Sequence, residues 1–244
     1  MNSLPTLSAD ELAAVQSNSW FASLSDEWRR AVLNAAQVRC AAHGERLVSQ
    51  GEPPRHWLCV VSGSVRLSQS TASGHQVVTA FIRPGDWIGE VELADGKPMT
   101  HDAHTQGPTR LIAVARSDFE SLCKASPEFV HALLRLQCAR LRVMFEQVAD
   151  LHVLTLEQRL AKQLLRLERA FGVDGPGGAP IALRVVQSDL GGLVGGSRQR
   201  VNGVLRRFQS EGAVRLSPAG VQIVEHDRLR ARESSAPPGL GTAR

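Results

Sequence analysis

The thirteen residues GGSRQRVNGVLRR, 195–207, hold the densest group of side chains suited to recognition chemistry. Ser197 is of a type that caps helices, and Arg198, Gln199, Arg200 and Asn202 follow it, then Arg206 and Arg207. Arginine offers a planar fork of donors that matches the two acceptors of guanine, and glutamine and asparagine match the donor–acceptor pair of adenine. Such groups at the exposed start of a helix can bond to base edges, and the later arginines fall where phosphate contacts would lie. Val201, Val204, Leu205 and Phe208 recur at helical spacing and give that helix a face to bury. Gln187 or Ser188 starts a shorter helix before it, with Leu190, Leu193 and Val194 inward, and Gly195-Gly196 makes the turn, where positive φ suits glycine. Ala213–Leu216 and Val221–Val224, joined through Ser217-Pro218-Ala219-Gly220, read as a β-hairpin after it.

A second constellation lies at GDWIGEVELADG, 85–96, where Gly89 and Glu90 put a carboxylate beside a permissive backbone. The chemistry available elsewhere is narrow. The chain has no tyrosine, and Cys40, Cys59, Cys123 and Cys138 are scattered without CxxC pairs, which argues against a zinc ribbon or a disulfide framework. His43, His56, His75, His101, His104 and His131 stand in no clustered ligand set, so neither a metal centre nor an enzyme of metal-dependent β-barrel type is expected, and no catalytic residue is assigned.

The elements that must position these groups follow from pattern. The 244 residues, 43% apolar and 21% charged, suffice for one large domain or two small ones. No apolar run approaches the roughly 18 residues of a membrane span. The start, MNSLPTLSADELAAVQ, lacks the basic-then-apolar signature of a secretory signal, so a soluble cytoplasmic protein is expected. Residues 1–154 carry 14 basic against 16 acidic side chains, whereas residues 155–232 carry 13 against 7. A basic back half points a polyanion there, although arginines that merely solvate helices would give the same count.

Residues 1–19 read as a loose polar N-terminus, and Ser25-Asp26-Glu27 as a helix start followed by Trp28, Val32, Leu33 and Ala36. From Gly44 to Gly107, recurring glycines separate short β-type runs, Trp57–Val61, Ser64–Leu67, Gln76–Ile82 and, just beyond, Leu111–Val114, which predicts a β-sandwich or barrel. After Pro127 the period becomes helical. Val130, Leu134, Gln137, Leu141, Met144, Val148 and Leu151 alternate steps of four and three, a heptad seam that a second copy of the chain could cover. Leu133, Leu136 and Val143 supply a second apolar flank for the chain's own β domain, and packing of the whole helix on that domain is the alternative. Gln137 is the one polar seam residue and could set register. Leu156–Phe171 reads as another helix, Gly172–Pro180 as a flexible loop, and 233–244 as a disordered tail.

In this order of parts the chain resembles the Crp/Fnr superfamily of bacterial transcription regulators, through GDWIGEVELADG (85–96) and GGSRQRVNGVLRRFQSEGAVRL (195–216). The resemblance implies an α+β fold. A cyclic-nucleotide-binding-like β-roll would occupy 20–126, a dimerisation helix 127–154 and a winged helix-turn-helix 155–232. It also implies a homodimer on double-stranded DNA with a two-fold-related site, RNA polymerase as a further partner, and no membrane association. Ser197, Arg198, Gln199, Arg200, Asn202, Arg206 and Arg207 would form the DNA-binding set. The family's usual third base reader falls at Gly203, which has no side chain, and Arg200 could supply its charge one position away.

In cyclic-nucleotide-binding members a Gly-Glu pair holds the ribose and an Arg-Ser pair the cyclic phosphate. Gly89 and Glu90 match the first pair, but Met99 and Thr100 fall at the second, and a thioether cannot replace a guanidinium against phosphate. Lys97 could compensate. Met144 and Phe145 stand where polar side chains would meet an adenine, so cyclic AMP is disfavoured and the effector is left open. Gly89, Glu90, Met99, Thr100, Met144 and Phe145 are the effector-pocket candidates; Glu90 as a surface carboxylate and the methionines and phenylalanine as plain core are the competing readings. Neither an iron–sulfur cluster nor haem is expected, for want of clustered cysteines or a diagnostic histidine. The expected function is a homodimeric, sequence-specific DNA-binding transcription regulator with an altered sensor pocket. The alternative is a ligand- or partner-binding sensor that has lost specific DNA binding, a reading prompted by Gly203 and by Gly191-Gly192.

Overall fold

The computed structural model describes residues 6–71, 74, 76–172, 179–180, 187–217 and 220–234. The chain forms two compact units, one of Met1–Gln76 and Ala80–Arg142, the other of Val143–Arg244 with Val77–Thr79.

The first unit opens with α1 (Ala9–Gln16), α2 (Ser19–Ala22) and α3 (Asp26–Ala35). Its β part comprises β1 (Ala36–Ala41), β2 (Arg46–Val48), β3 (His56–Ser62), β4 (Val65–Ser70), β5 (Gln76–Ile82), β6 (Trp87–Ile88), β7 (Asp102–Thr105) and β8 (Thr109–Ala115), with α4 (Glu90–Asp95) after β6 and α5 (Arg116–Ala125) after β8. The strands form two four-stranded sheets, ordered β1-β8-β3-β6 and β2-β7-β4-β5. The pairing is antiparallel, with Ala36 opposite Val114 and Trp57 opposite the same Val114 from the other side.

β3 explains why this region reads as an uninterrupted apolar run. Leu58 and Val60 point into a core shared with Val65, Ile82, Ala103 and Leu111 from both sheets. Trp57, Cys59 and Val61 point the other way, into a larger core with Trp20, Phe21, Trp87, Phe119 and Phe129. The Trp57 and Trp87 ring centroids are 4.0 Å apart. Both faces of β3 are therefore covered, and alternation gives way to continuous hydrophobicity. Burial also pushes the Cys59 thiol well above its ordinary pKa, so this cysteine is packing rather than a reactive group.

Several expectations change in the first unit. The N-terminus is not loose through residue 19: Ser8 and Glu11 form a reciprocal capping box on α1, Glu11 pairs with Arg110 at 2.8 Å, and Val15 is fully buried. The polar look of ADELAAVQ hides a helix that buries one narrow stripe. The α3 helix stops before Ala36, which already belongs to β1. Its N-cap Ser25 makes no cap bond; the backbone N–H of Ser25 donates instead to Glu128 at 2.9 Å.

α6 (Pro127–Val153) is a 27-residue helix, one residue shorter at its end than the expected 127–154 segment, that continues from the first unit into the second. Its inner face divides sharply. Phe129, Ala132 and Leu133 are buried and Leu136 packs on the same core, but Val143, expected beside them, is 47% exposed. On the other face Val130, Leu134, Leu141, Met144, Val148 and Leu151 are all exposed, together with Phe145.

The second unit contains α7 (Leu156–Phe171), β9 (Ala179–Pro180), α8 (Gln187–Val194), α9 (Arg198–Ser210), β10 (Val214–Ser217), β11 (Gly220–Ile223) and α10 (His226–Ser234). Thr155 caps α7 in a capping box with Gln158. Leu160, Leu164, Leu190, Val194, Val201, Leu205, Phe208 and Ile223 are buried, and α7 packs against α8, α9 and α10. The hairpin gains a third strand, because Ala179 and Pro180 pair with Ile223 and Gln222 of β11, where a loop is expected. The rest of that loop, 173–178, lies outside the described residues, as do Pro218-Ala219 of the hairpin turn and 235–244 of the expected tail; Glu233 and Ser234 are helical.

Candidate functional site

α8, the turn at 195–197 and α9 form a helix-turn-helix whose tight corner is made by backbone. Gly195 has φ +64°, and the Gly196 N–H donates to the Gly191 carbonyl at 2.9 Å. A Cβ on Gly191 would lie 2.6 Å from the Gly196 carbonyl oxygen, so the glycine is demanded by packing and is no sign of a degenerate motif. Gly191→Ala should lower the stability of the second unit by about 1–3 kcal/mol, the range for overpacking, despite alanine's better helix propensity. Urea melting followed at the second unit would check it, and an unchanged midpoint would mean the corner is more yielding than its geometry implies.

Ser197 caps α9, its hydroxyl accepting from the Arg200 N–H at 3.4 Å. Val201, Leu205 and Phe208 bury the inner face, and Arg198, Gln199, Arg200 and Arg206 are exposed on the outer one. Among the described residues no carboxylate pairs with Arg198, Arg200 or Arg206. The first turn of α9 carries two arginines and no acid, against the preference of the helix dipole for anions at this end. A local conflict of this kind is expected where an external anion supplies the missing charge.

The other members of the expected set are engaged within the chain. Asn202 is half-buried, and its Oδ1 accepts from Gln187 Nε2 at 3.1 Å, a bond that braces α8 against α9. Arg207 pairs with Glu157 at 2.7 Å, and the same carboxylate takes Arg232 at 2.5 Å. Sequence spacing placed Asn202 and Arg207 on the exposed turn but could not show these partners, Asn202's being 15 and Arg207's 50 residues away in the chain. Arg200 lies close enough to Arg159 to help hold that guanidinium's pKa below its ordinary value, after the larger effect of burial. Arg159 itself donates to the carbonyls of Val194 and Leu154 at 2.8 and 2.6 Å and so fixes the corner.

The second candidate site is built around Glu90. Gly89 adopts φ +99°, and a Cβ there would come within 2.9 Å of the His56 carbonyl oxygen, which fixes how α4 begins. Glu90 is only 2% exposed, so the reading of it as a surface carboxylate is wrong. Its Oε2 accepts from Trp57 Nε1 at 3.3 Å, and its Oε1 accepts from Gln137 Nε2 at 2.9 Å and from the Arg140 guanidinium, which also donates to the Trp87 carbonyl. Gln137 and Arg140 are three apart on α6 and share one face. Gln137 therefore turns to Glu90 in the single chain instead of serving as a bare seam residue.

Met99 is buried and its N–H and carbonyl are tied to the backbone of Glu52 and Gly51, both at 2.8 Å. Thr100 donates its hydroxyl to Glu92 at 2.6 Å and its N–H to the same oxygen at 3.1 Å. Glu92, a residue the sequence left unremarked, is buried and takes up the hydroxyl that a phosphate would need. Lys97 is exposed and lies 3.6 Å from Asp95. Met144 and Phe145, at 58% and 63% exposure, are not core in the single chain.

With this geometry in place, the likeness to known proteins is specific. Residues 38–126 match the Cyclic nucleotide-binding domain family and residues 158–232 the Crp-like helix-turn-helix domain family. The CRP-like cAMP-activated global transcriptional regulator of Mycobacterium tuberculosis is 31% identical over 189 residues, 78% of this chain and 84% of its own length. The chain belongs to the Crp/Fnr family. The Cyclic AMP receptor protein of Thermus thermophilus is also 31% identical, over 84% of this chain and 92% of its own. FixK2 from Bradyrhizobium japonicum shares the fold, with a TM-score of 0.71 at 24% identity over 83% of this chain and 99% of that one. The α+β architecture of sensor sheets, long helix and C-terminal helix-turn-helix is that of the Crp/Fnr family, whose members are DNA-binding transcription regulators and not enzymes. Among the described residues no helix is long and apolar enough to cross a membrane.

Proposed function

We propose that this Crp/Fnr member acts as a homodimer that recognises a two-fold-related double-stranded DNA site, with Arg198, Gln199 and Arg200 at base edges and Arg206 on the backbone. The observation that carries the reading is the cationic first turn of α9, exposed, capped by Ser197 and without a carboxylate partner among the described residues. Asn202 and Arg207 act one step back: Asn202 sets the helix-turn-helix corner, and Arg207 reaches a phosphate only by leaving Glu157. The exposed seam of α6 is covered by the second copy, and RNA polymerase is the partner that the family reading adds, in the cytoplasm.

The sensor departs from the cyclic-nucleotide pattern. No guanidinium stands at Met99-Thr100, Thr100 is held by Glu92, and Glu90 already has three side-chain donors. A cyclic phosphate would be left without paired donors, and a ribose hydroxyl would compete with Arg140 for Glu90. The names of the 31%-identical relatives favour a second reading, activation by cyclic AMP.

Fluorescence-anisotropy titration of the ligand-free protein onto a selected two-fold site, at stated salt, separates these. Cyclic AMP should leave the affinity unchanged, and a tightening of tenfold or so, about 1.4 kcal/mol, would establish the second reading. Arg198→Ala should weaken specific binding by about 1–3 kcal/mol and erase preference at one base pair per half-site. Indifference to that change would leave a sensor without specific DNA binding as the better account.

A further inference from the structure

On α9 each residue advances about 100°, so Gln199, Gly203, Arg206 and Ser210 form a single row along the helix opposite the buried Val201, Leu205 and Phe208. Gly203 occupies the middle of that row. A Cβ placed on it meets nothing within 4 Å, and its φ lies in the ordinary range, so neither crowding nor backbone geometry requires a glycine. Yet an interior helical glycine is unfavourable, and none of the packing that explains Gly191 and Gly196 applies here.

We infer that Gly203 leaves one base pair in each DNA half-site unread, a silent position beside the pairs that the first turn of α9 discriminates. The inference rests on the DNA-binding role proposed above. Gln199 and Arg206 are separated by seven residues, a rise of about 10 Å along the helix. That span covers roughly three base-pair steps of 3.4 Å, and its centre faces a bare backbone. The neighbours do not fill the gap. Asn202 is tied to Gln187, Arg207 to Glu157, and Arg200 lies on the flank beside Arg159. The site can therefore tolerate any base there, while a side chain supplied at 203 would project into open space.

The test is the binding of the full-length wild type, Gly203→Arg and Gly203→Ala to a two-fold site in which every base pair is varied in turn. The wild type should be flat at one symmetric pair per half-site, next to the pairs discriminated by the first turn of α9. Gly203→Arg should acquire a preference for G·C at that same pair of about tenfold, the scale of one bidentate arginine–guanine contact. Gly203→Ala, which adds only a methyl group, should reproduce the wild-type profile and shows that the position accepts a side chain. Discrimination by the wild type at the pair where Gly203→Arg gains its preference overturns the inference, as does a Gly203→Arg protein that binds with an unaltered profile. A wild type with no sequence preference anywhere overturns the DNA-binding role itself, and the silent base pair with it.

Discussion

Leu134→Asp combined with Leu141→Asp should convert a dimer into a folded monomer and lower the affinity for a two-fold DNA site by about 10²–10⁴-fold. Both leucines lie on the exposed face of α6, at 58% and 47% exposure, and neither belongs to either core of the first unit. A charge there leaves the monomer intact but would have to be buried unpaired in a helix pair, where it costs several kcal/mol. Val130, Met144, Val148 and Leu151 extend the same face, and Phe145 flanks it. So many exposed apolar side chains on one helix are far more than scattered surface hydrophobes need, and on the homodimer reading proposed above they form the interface. The loss in DNA affinity follows from bivalency: each half-site contact survives, but the second is no longer intramolecular. Light scattering gives the mass and anisotropy the affinity. A variant that remains dimeric places the interface elsewhere, and a monomer that binds the two-fold site as tightly as wild type removes the need for a dimer.

How much of this was legible from sequence depends on how far each partner lies along the chain. The second helix of the helix-turn-helix is local: a serine cap, apolar residues at helical spacing and a cationic first turn lie within thirteen residues, and α9 follows them. β3 and β8 were equally plain, because strands covered on both faces keep their apolar residues together. β1 was hidden because AQVRCA carries little apolar signal and directly follows a helix. α1 was hidden because its stability rests on Ser8 and Glu11 and on a single fully buried valine. The Glu90 network was invisible for a different reason. Its donors come from 33, 47 and 50 residues away, and no periodicity connects Trp57, Gln137 and Arg140 with a carboxylate in another element. A heptad pattern assigned Gln137 to the outer seam because the pattern knows the angle of a side chain on its helix and not which neighbour it meets.

That network is where the second large effect is expected. Arg140→Ala should destabilise the first unit by about 3 kcal/mol, the low end for breaking a buried ion pair, because Arg140 itself is 36% exposed and water can reach part of the vacated space. The carboxylate left behind is buried and retains only the donors of Gln137 and Trp57. Glu90→Gln should cost less: a neutral amide can still accept from Arg140 and Gln137, and the arginine keeps its contact with the Trp87 carbonyl. The double substitution, Glu90→Gln with Arg140→Ala, should recover most of the loss of Arg140→Ala, because no charge is then left unpaired. Urea melting of the four proteins completes the cycle. Single losses that simply add would mean that Glu90 is held by its other donors and that Arg140 is dispensable. A coupling of 1 kcal/mol or more makes this pair the tie between α6 and the segment 85–96. Any effector that takes Glu90 for itself must first replace it, and can shift the helix only by the difference between the two interactions.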